Sequence, residues 1–284
     1  MKKIKFLLLI MLICLTGCIK SNSMDDIKII TSTYPIEYVV KSLYGEHSTV
    51  LSIYPHDSNI FEFKVTKVLL KDYSNNDLFI FNGLTEEKNY VKDMKKNNNE
   101  LMIIDSTANI IYDYSIEELW LDPNNLLTIA NNIKNGFEEY INGQYLLDEI
   151  NENYNNLKIK LTSLDGKFYS SVKNSKNKYI IVTNDVFKFL EKYGLTVISL
   201  DEDTVTQKDI LKAQELLNDG TCKYVFIEYK QEINKTASEI IKNSNASTLE
   251  FYTMSNLDGL NIDKNDYITL MNDNLENLKI ELYK

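Results

Sequence analysis

Not one of the 284 residues is arginine, only two are histidine and only three are cysteine. Without arginine the chain lacks the guanidinium fork that most often grips carboxylates and phosphates in a bidentate way. With histidine at His47 and His56 alone, a Ser-His-Asp or Cys-His arrangement has little to build on. No P-loop, Gly-x-Ser-x-Gly turn or Cys-x-x-Cys motif occurs. The acidic pairs Glu86-Glu87 and Glu117-Glu118 are sequence neighbours, so their side chains are expected to point apart rather than work together. These absences argue against an enzyme.

What is present begins with an address. Lys2, Lys3 and Lys5 precede an apolar run from Phe6 to Leu15, and Leu15-Thr16-Gly17-Cys18 follows. The run is too short for a convincing membrane span and reads as a secretory signal over residues 1–17. A cysteine after Leu-Thr-Gly resembles the bacterial lipobox, which implies cleavage before Cys18, lipid attachment to its thiol, and an extracytoplasmic protein anchored to the cell membrane. Residues 18–26 then read as the lipidated cysteine and a short polar tether. Loss of Lys2, Lys3 and Lys5 takes the formal charge from −10 to −13, which speaks against nucleic acid as a partner. Cys14 goes with the signal and Cys18 carries lipid, so Cys222 is left without an intramolecular disulfide partner.

Beyond residue 26, short Ile- and Val-rich runs alternate with segments of helical period. Strands are predicted at 27–33, 49–54, 77–81, 101–105, 179–182, 196–200, 224–228 and 247–251, and helices at 36–44, 185–193, 208–218 and 232–243. That alternation points to parallel α/β sheets covered on both faces. Between Pro123 and Leu164 no strand signal occurs, only helical spacing through Leu126, Ile129, Ile133, Phe137, Ile141, Leu146, Ile150, Tyr154, Leu157 and Leu161. Asp122 suits an N-cap and Pro123 a first helical residue, and Gly143 permits a kink or break. The expected fold is therefore α/β: two lobes with mostly parallel sheets, residues 27–122 and 166–284, joined by one long backbone helix over 123–165.

Several landmarks resemble one family over nearly the whole mature chain: Thr31-Ser32-Thr33-Tyr34-Pro35, Asp77 through Leu84, Trp120-Leu121-Asp122-Pro123, Tyr193-Gly194-Leu195, Val225 through Glu228, and the tail from Tyr267. They resemble the zinc/manganese-type substrate-binding lipoproteins of bacterial ABC importers. The resemblance implies two α/β lobes on a rigid helix, a metal held between them by three histidines and often a carboxylate, partnership with an ABC permease and ATPase, and a monomer that closes little.

The family's ligand positions carry other residues here. Counting back from Asp77 without a gap places the first histidine position at Phe61. The second falls on Glu118, the third on Asn184, and the carboxylate on Tyr252. His56 lies five residues before Phe61 and reads as a solvated loop residue; His47 reads as an exposed turn residue. Around the four positions, Tyr34, Thr85, Trp120 and Asp185 are further candidates for the cleft. Three readings stay open. The cleft holds a different small ligand, cationic or polyhydroxy rather than anionic. Or Phe61 and Tyr252 plug it, leaving a ligand-free surface lipoprotein for protein contact or adhesion. Or His56 swings in beside Glu118 and Asp185 and rescues a divalent-metal site. No cofactor is expected on the first two readings. Glu228, at a strand end, is expected to be structural; Asp201-Glu202-Asp203 reads as a solvated run, and Thr206 to Asp209 as a helix capping box.

Overall fold

A computed structural model describes residues 24–284; the signal and Cys18 lie outside the described residues. Eight short strands form where the apolar runs predict them: β1 (Ile27–Thr31), β2 (Ser48–Ser52), β3 (Leu78–Phe81), β4 (Met102–Asp105), β5 (Tyr179–Val182), β6 (Thr196–Ser199), β7 (Tyr224–Glu228) and β8 (Ser247–Phe251). They make two four-stranded sheets, β2-β1-β3-β4 and β6-β5-β7-β8, with every pairing parallel. Both sheets thus have the same topology. The central strand β3, Leu78-Phe79-Ile80-Phe81, is buried throughout, as a parallel sheet covered on both faces requires.

The helices are α1 (Tyr34–Tyr44), α2 (Lys67–Tyr73), α3 (Glu87–Asn97), the single turn α4 (Glu118–Leu121), α5 (Pro123–Tyr140), α6 (Gln144–Asn174), α7 (Gln207–Asn218), α8 (Lys235–Ser244) and α9 (Tyr267–Leu282). The stretch after Asp122 contains two helices. Asp122 caps α5 by accepting the Asn124 backbone N–H at 2.8 Å, with Pro123 in the first turn. The chain leaves the helix at Ile141, which is extended and buried, and restarts after Gly143. The long helix is therefore α6, 31 residues running to Asn174. It packs on α5 and α1 of the first lobe and on α9 and the Asp185–Tyr193 segment of the second.

Three local expectations change. The Asp185–Tyr193 helix is a 3₁₀ segment, ended by Gly194 at φ +96°, a left-handed conformation that favours glycine. Residues 24–26, read as part of a tether, are held at the lobe: Met24 is in the core, its carbonyl accepts the Tyr44 hydroxyl, and Asp25 pairs with His47. His47 itself is no free turn residue. Its Nδ1 lies 2.9 Å from Asp25 and its Nε2 3.1 Å from Glu149 on α6, and these partners push its pKa up. The Thr206–Asp209 capping box forms as expected.

The lobes are tied together on both sides of the cleft. The Trp120 indole N–H donates to the Thr253 carbonyl at 2.8 Å, and the Tyr267 hydroxyl donates to the Trp120 carbonyl at 2.6 Å. The Ile60 N–H donates to the Ser255 carbonyl at 2.9 Å, beside a bridge between Asn59 and Asn256. Lys192 of the second lobe reaches Asp122 at 2.5 Å and Asp165 of α6 at 3.0 Å.

Candidate functional site

Beyond the carboxyl ends of β1, β2 and β3, where open α/β sheets gather ligands, lies a cavity of about 190 Å³. Thr33 follows β1, Tyr54 follows β2, and Asn82 follows β3; Ile60, Phe61, Phe63, Thr85, Glu86, Glu87, Ile116 and Trp120 complete the lining. The loop after β3 is held by its own polar atoms. Asn82 Oδ1 accepts the Leu84 N–H and the Thr107 hydroxyl, both at 3.0 Å. The Gly83 N–H donates to Asp105 at 3.1 Å.

Glu87 is the buried acid of this cavity. Its Oε2 accepts the Asn82 N–H at 2.9 Å. Burial pushes its pKa up to about 7 against the pull of that bond and of the Tyr54 and Thr85 hydroxyls. Its neighbour Glu86 is exposed but lines the same cavity, so the two acids are closer partners than their adjacency in sequence suggests. The Thr33 hydroxyl, in a residue 2 % exposed, has no hydrogen-bond partner. Orphaned polar atoms in a cavity wall are uncommon in proteins.

Of the residues expected at the cleft, Phe61, Thr85 and Trp120 line this cavity; Phe61 is 57 % exposed at its edge. Glu118 turns away: its Oε2 accepts the N–H groups of Asp113 and Tyr114 at 3.1 and 3.2 Å. The acid that faces the other lobe is Glu117, buried, with Ser255 Oγ 3.3 Å from its Oε1. Adjacent residues on a helical turn point about 100° apart, so only one can face inward. Tyr34 is buried against the His56 ring at a centroid distance of 5.6 Å. Tyr252 packs on Tyr229 at 4.9 Å, while its N–H donates to Asn274 at 2.7 Å.

Asn184 and Asp185 belong to the second lobe. Asn184 Oδ1 caps the 3₁₀ segment through the Val186 N–H at 2.9 Å. Asp185 pairs with Lys188 at 2.9 Å and accepts the Thr204 hydroxyl at 3.0 Å. Burial would raise its pKa, but these donors and Ser199 outweigh it and hold the carboxyl low. Asn184 also lines a second cavity, of about 150 Å³, with Thr183, Asp201, Glu202, Glu228, Glu232 and Asn234. It occupies the same place on its sheet as the first cavity does on the other. Burial, and after it the charge of Glu117, raise the Glu228 pKa to about 7; burial raises that of Glu117 too.

His56 is held elsewhere. Its Nε2 meets Glu37 at 2.6 Å, and Glu37, buried on α1, also holds Lys41 at 2.6 Å. Neither Glu118 nor Asp185 is its partner here: their carboxylates are taken by the Asp113 and Tyr114 N–H groups and by Lys188 and Thr204. Among the described residues no group of three or more His, Cys, Asp or Glu side chains is placed to hold a metal ion.

Sequence reading missed Thr33, Tyr54, Phe63 and Glu87. Only Glu87 carried a signal: of two adjacent acids opening a helix after a strand, one must face the sheet.

Two parallel α/β lobes on a connecting helix, with cavities at their strand ends, define a two-lobed solute-binding architecture. The model of one family, described as zinc-uptake complex component A, periplasmic, matches residues 29–280, and the chain belongs to that family. A search of curated protein sequences finds no match. Solved structures give the fold independently. The zinc-bound ZnuA-like domain of AdcA from Streptococcus pneumoniae is 16 % identical, with a TM-score of 0.73 over 91 % of this chain and 100 % of that one. The metal-dependent lipoprotein YcdH of Bacillus subtilis is 18 % identical (TM-score 0.71; 91 % and 100 %). The laminin-binding protein Lmb of Streptococcus agalactiae, described as having both adhesin and metal-transporting activity, is 17 % identical (TM-score 0.71; 90 % and 99 %).

Proposed function

We propose that this chain is an extracytoplasmic solute-binding lipoprotein of an ABC importer, anchored through Cys18, whose site has lost its grip on zinc and takes a small cationic or polyhydroxy molecule instead. Residues 27–122 and 166–284 would act as the capturing lobes and 123–165 as the connector, with a permease and ATPase receiving the ligand. The protein binds and delivers; it does not catalyse. Among the described residues no helix is long and apolar enough to cross a membrane.

The observation that carries this reading is the cavity at Phe61, with aromatic walls, a buried acid and an unpartnered hydroxyl. Small-molecule sites generally combine apolar walls with a few convergent polar groups. Support also comes from the engagement of Glu118 with the Asp113 and Tyr114 N–H groups and of Asn184 in capping the 3₁₀ segment, and from phenylalanine, which has no donor atom, at position 61. A thermal-shift screen against cationic and polyhydroxy metabolites tests it, because a ligand that binds only the folded form raises the melting temperature. A hit that Phe61→Ala abolishes supports the reading. Stabilisation by Zn²⁺ alone rejects it. If no small molecule shifts the protein and immobilised host matrix proteins retain it, the surface-contact role is the better account.

A further inference from the structure

The first-lobe cavity has a consistent electrostatic character. Tyr54, Phe61 and Phe63 give it aromatic walls, and Glu86 stands at its mouth with Glu87 at its base. No lysine lines it and the chain contains no arginine, so nothing there could neutralise an anion. Aromatic faces and carboxylates together attract organic cations, and ammonium groups caged by aromatic rings are the usual instance. Thr33 and Asn82 add polar residues to the lining, although the Thr33 hydroxyl itself is fully shielded. At about 190 Å³ the space falls below the range of drug-sized pockets, which limits the occupant to a small metabolite.

We propose that this cavity binds a small organic ammonium compound, its cationic head among Tyr54, Phe61 and Phe63 near Glu87. The proposal rests on the reading of this cavity as the ligand site. It also couples binding to a proton. Glu87 titrates near 7 because it is buried, and a cation beside it favours the charged form. The titratable groups facing it are Tyr54, Tyr90 and Glu86. Both tyrosines are pushed well above their ordinary range, burial being the largest cause, and stay neutral. Binding therefore releases a proton below pH 7, and affinity rises as pH increases from 6 to 8.

Calorimetric titration of the full-length protein with choline and n-butylammonium, against the uncharged choline isostere 3,3-dimethylbutan-1-ol, tests this. At least one of the two cations is expected to bind about tenfold or more tightly than the isostere, the scale a desolvated cation–π contact reaches. Glu87→Gln, which keeps an acceptor for the Asn82 N–H, is expected to remove the pH dependence and most of the preference for charge. Phe61→Ala, at an exposed position, is expected to weaken the cation with no loss of fold by circular dichroism. Equal affinity for the isostere overturns the cation class and leaves the small-ligand reading standing. Failure of both cations to bind overturns the proposal; if Zn²⁺ then stabilises the same protein, the small-ligand reading falls with it.

Discussion

His56 Nε2 lies 2.6 Å from Glu37 Oε2, so the imidazole is paired with an acid of its own lobe. Glu37 is 1 % exposed and holds Lys41 as well. Burial alone would raise its pKa, but the His56 and Lys41 hydrogen bonds outweigh it and the carboxyl sits below its ordinary value. The histidine is thus a structural partner of a buried acid.

His56→Ala should therefore destabilise the fold by about 1–3 kcal/mol, the usual cost of stripping a partner from a buried polar group. Because the folded pKa of Glu37 is depressed, its contribution is present above the unfolded value of 4.5 and fades as pH falls through the lower folded value. Urea unfolding of the wild type and variant at pH 7 and pH 3 checks both points. The difference between the two proteins should shrink at pH 3.

Glu228 carries the opposite sign. Its folded pKa, about 7, exceeds the ordinary 4.5, so its contribution is intact below pH 4.5 and declines as pH rises through 7. Glu228→Gln should leave stability unchanged at pH 4 and increase it by about 1–3 kcal/mol at pH 8. Thermal unfolding at the two pH values reads this directly. Glu117→Gln should lower the Glu228 pKa, since the Glu117 charge is one of its causes.

Gly83 tests the loop that floors the first cavity. A β-carbon there would collide with the Asp105 carboxylate, which accepts the Gly83 N–H at 3.1 Å and the Thr107 N–H at 2.9 Å. Gly83→Ala is expected to cost about 1–3 kcal/mol through overpacking and to weaken any ligand of the Phe61 cavity. Denaturant midpoints and the thermal-shift response give the two readouts.

The strands were legible because parallel sheets buried on both faces demand unbroken apolar runs, and Leu78 to Phe81 is such a run. The restart after Gly143 was harder to see. Apolar spacing continues through Phe137, Ile141, Leu146 and Ile150 as though no break occurred, because the chain must bury both α5 and α6 on the same core. At the site, residue types at aligned positions could be read, but not their directions. Glu118 was expected to face the cleft, yet the turn at Asp113 and Tyr114 claims its carboxylate, and Glu117 turns inward instead. Thr33, Tyr54 and Glu87 meet only because β1, β2 and β3 end side by side, and no local pattern announces that meeting.

We propose that this member of a zinc-uptake family does not hold zinc between its lobes. Calorimetric titration of chelator-treated protein with Zn²⁺ and Mn²⁺ at pH 7.5 measures it most directly. The account expects no saturable binding tighter than roughly 100 μM, about −5.5 kcal/mol. One equivalent of Zn²⁺ bound with nanomolar affinity would contradict it.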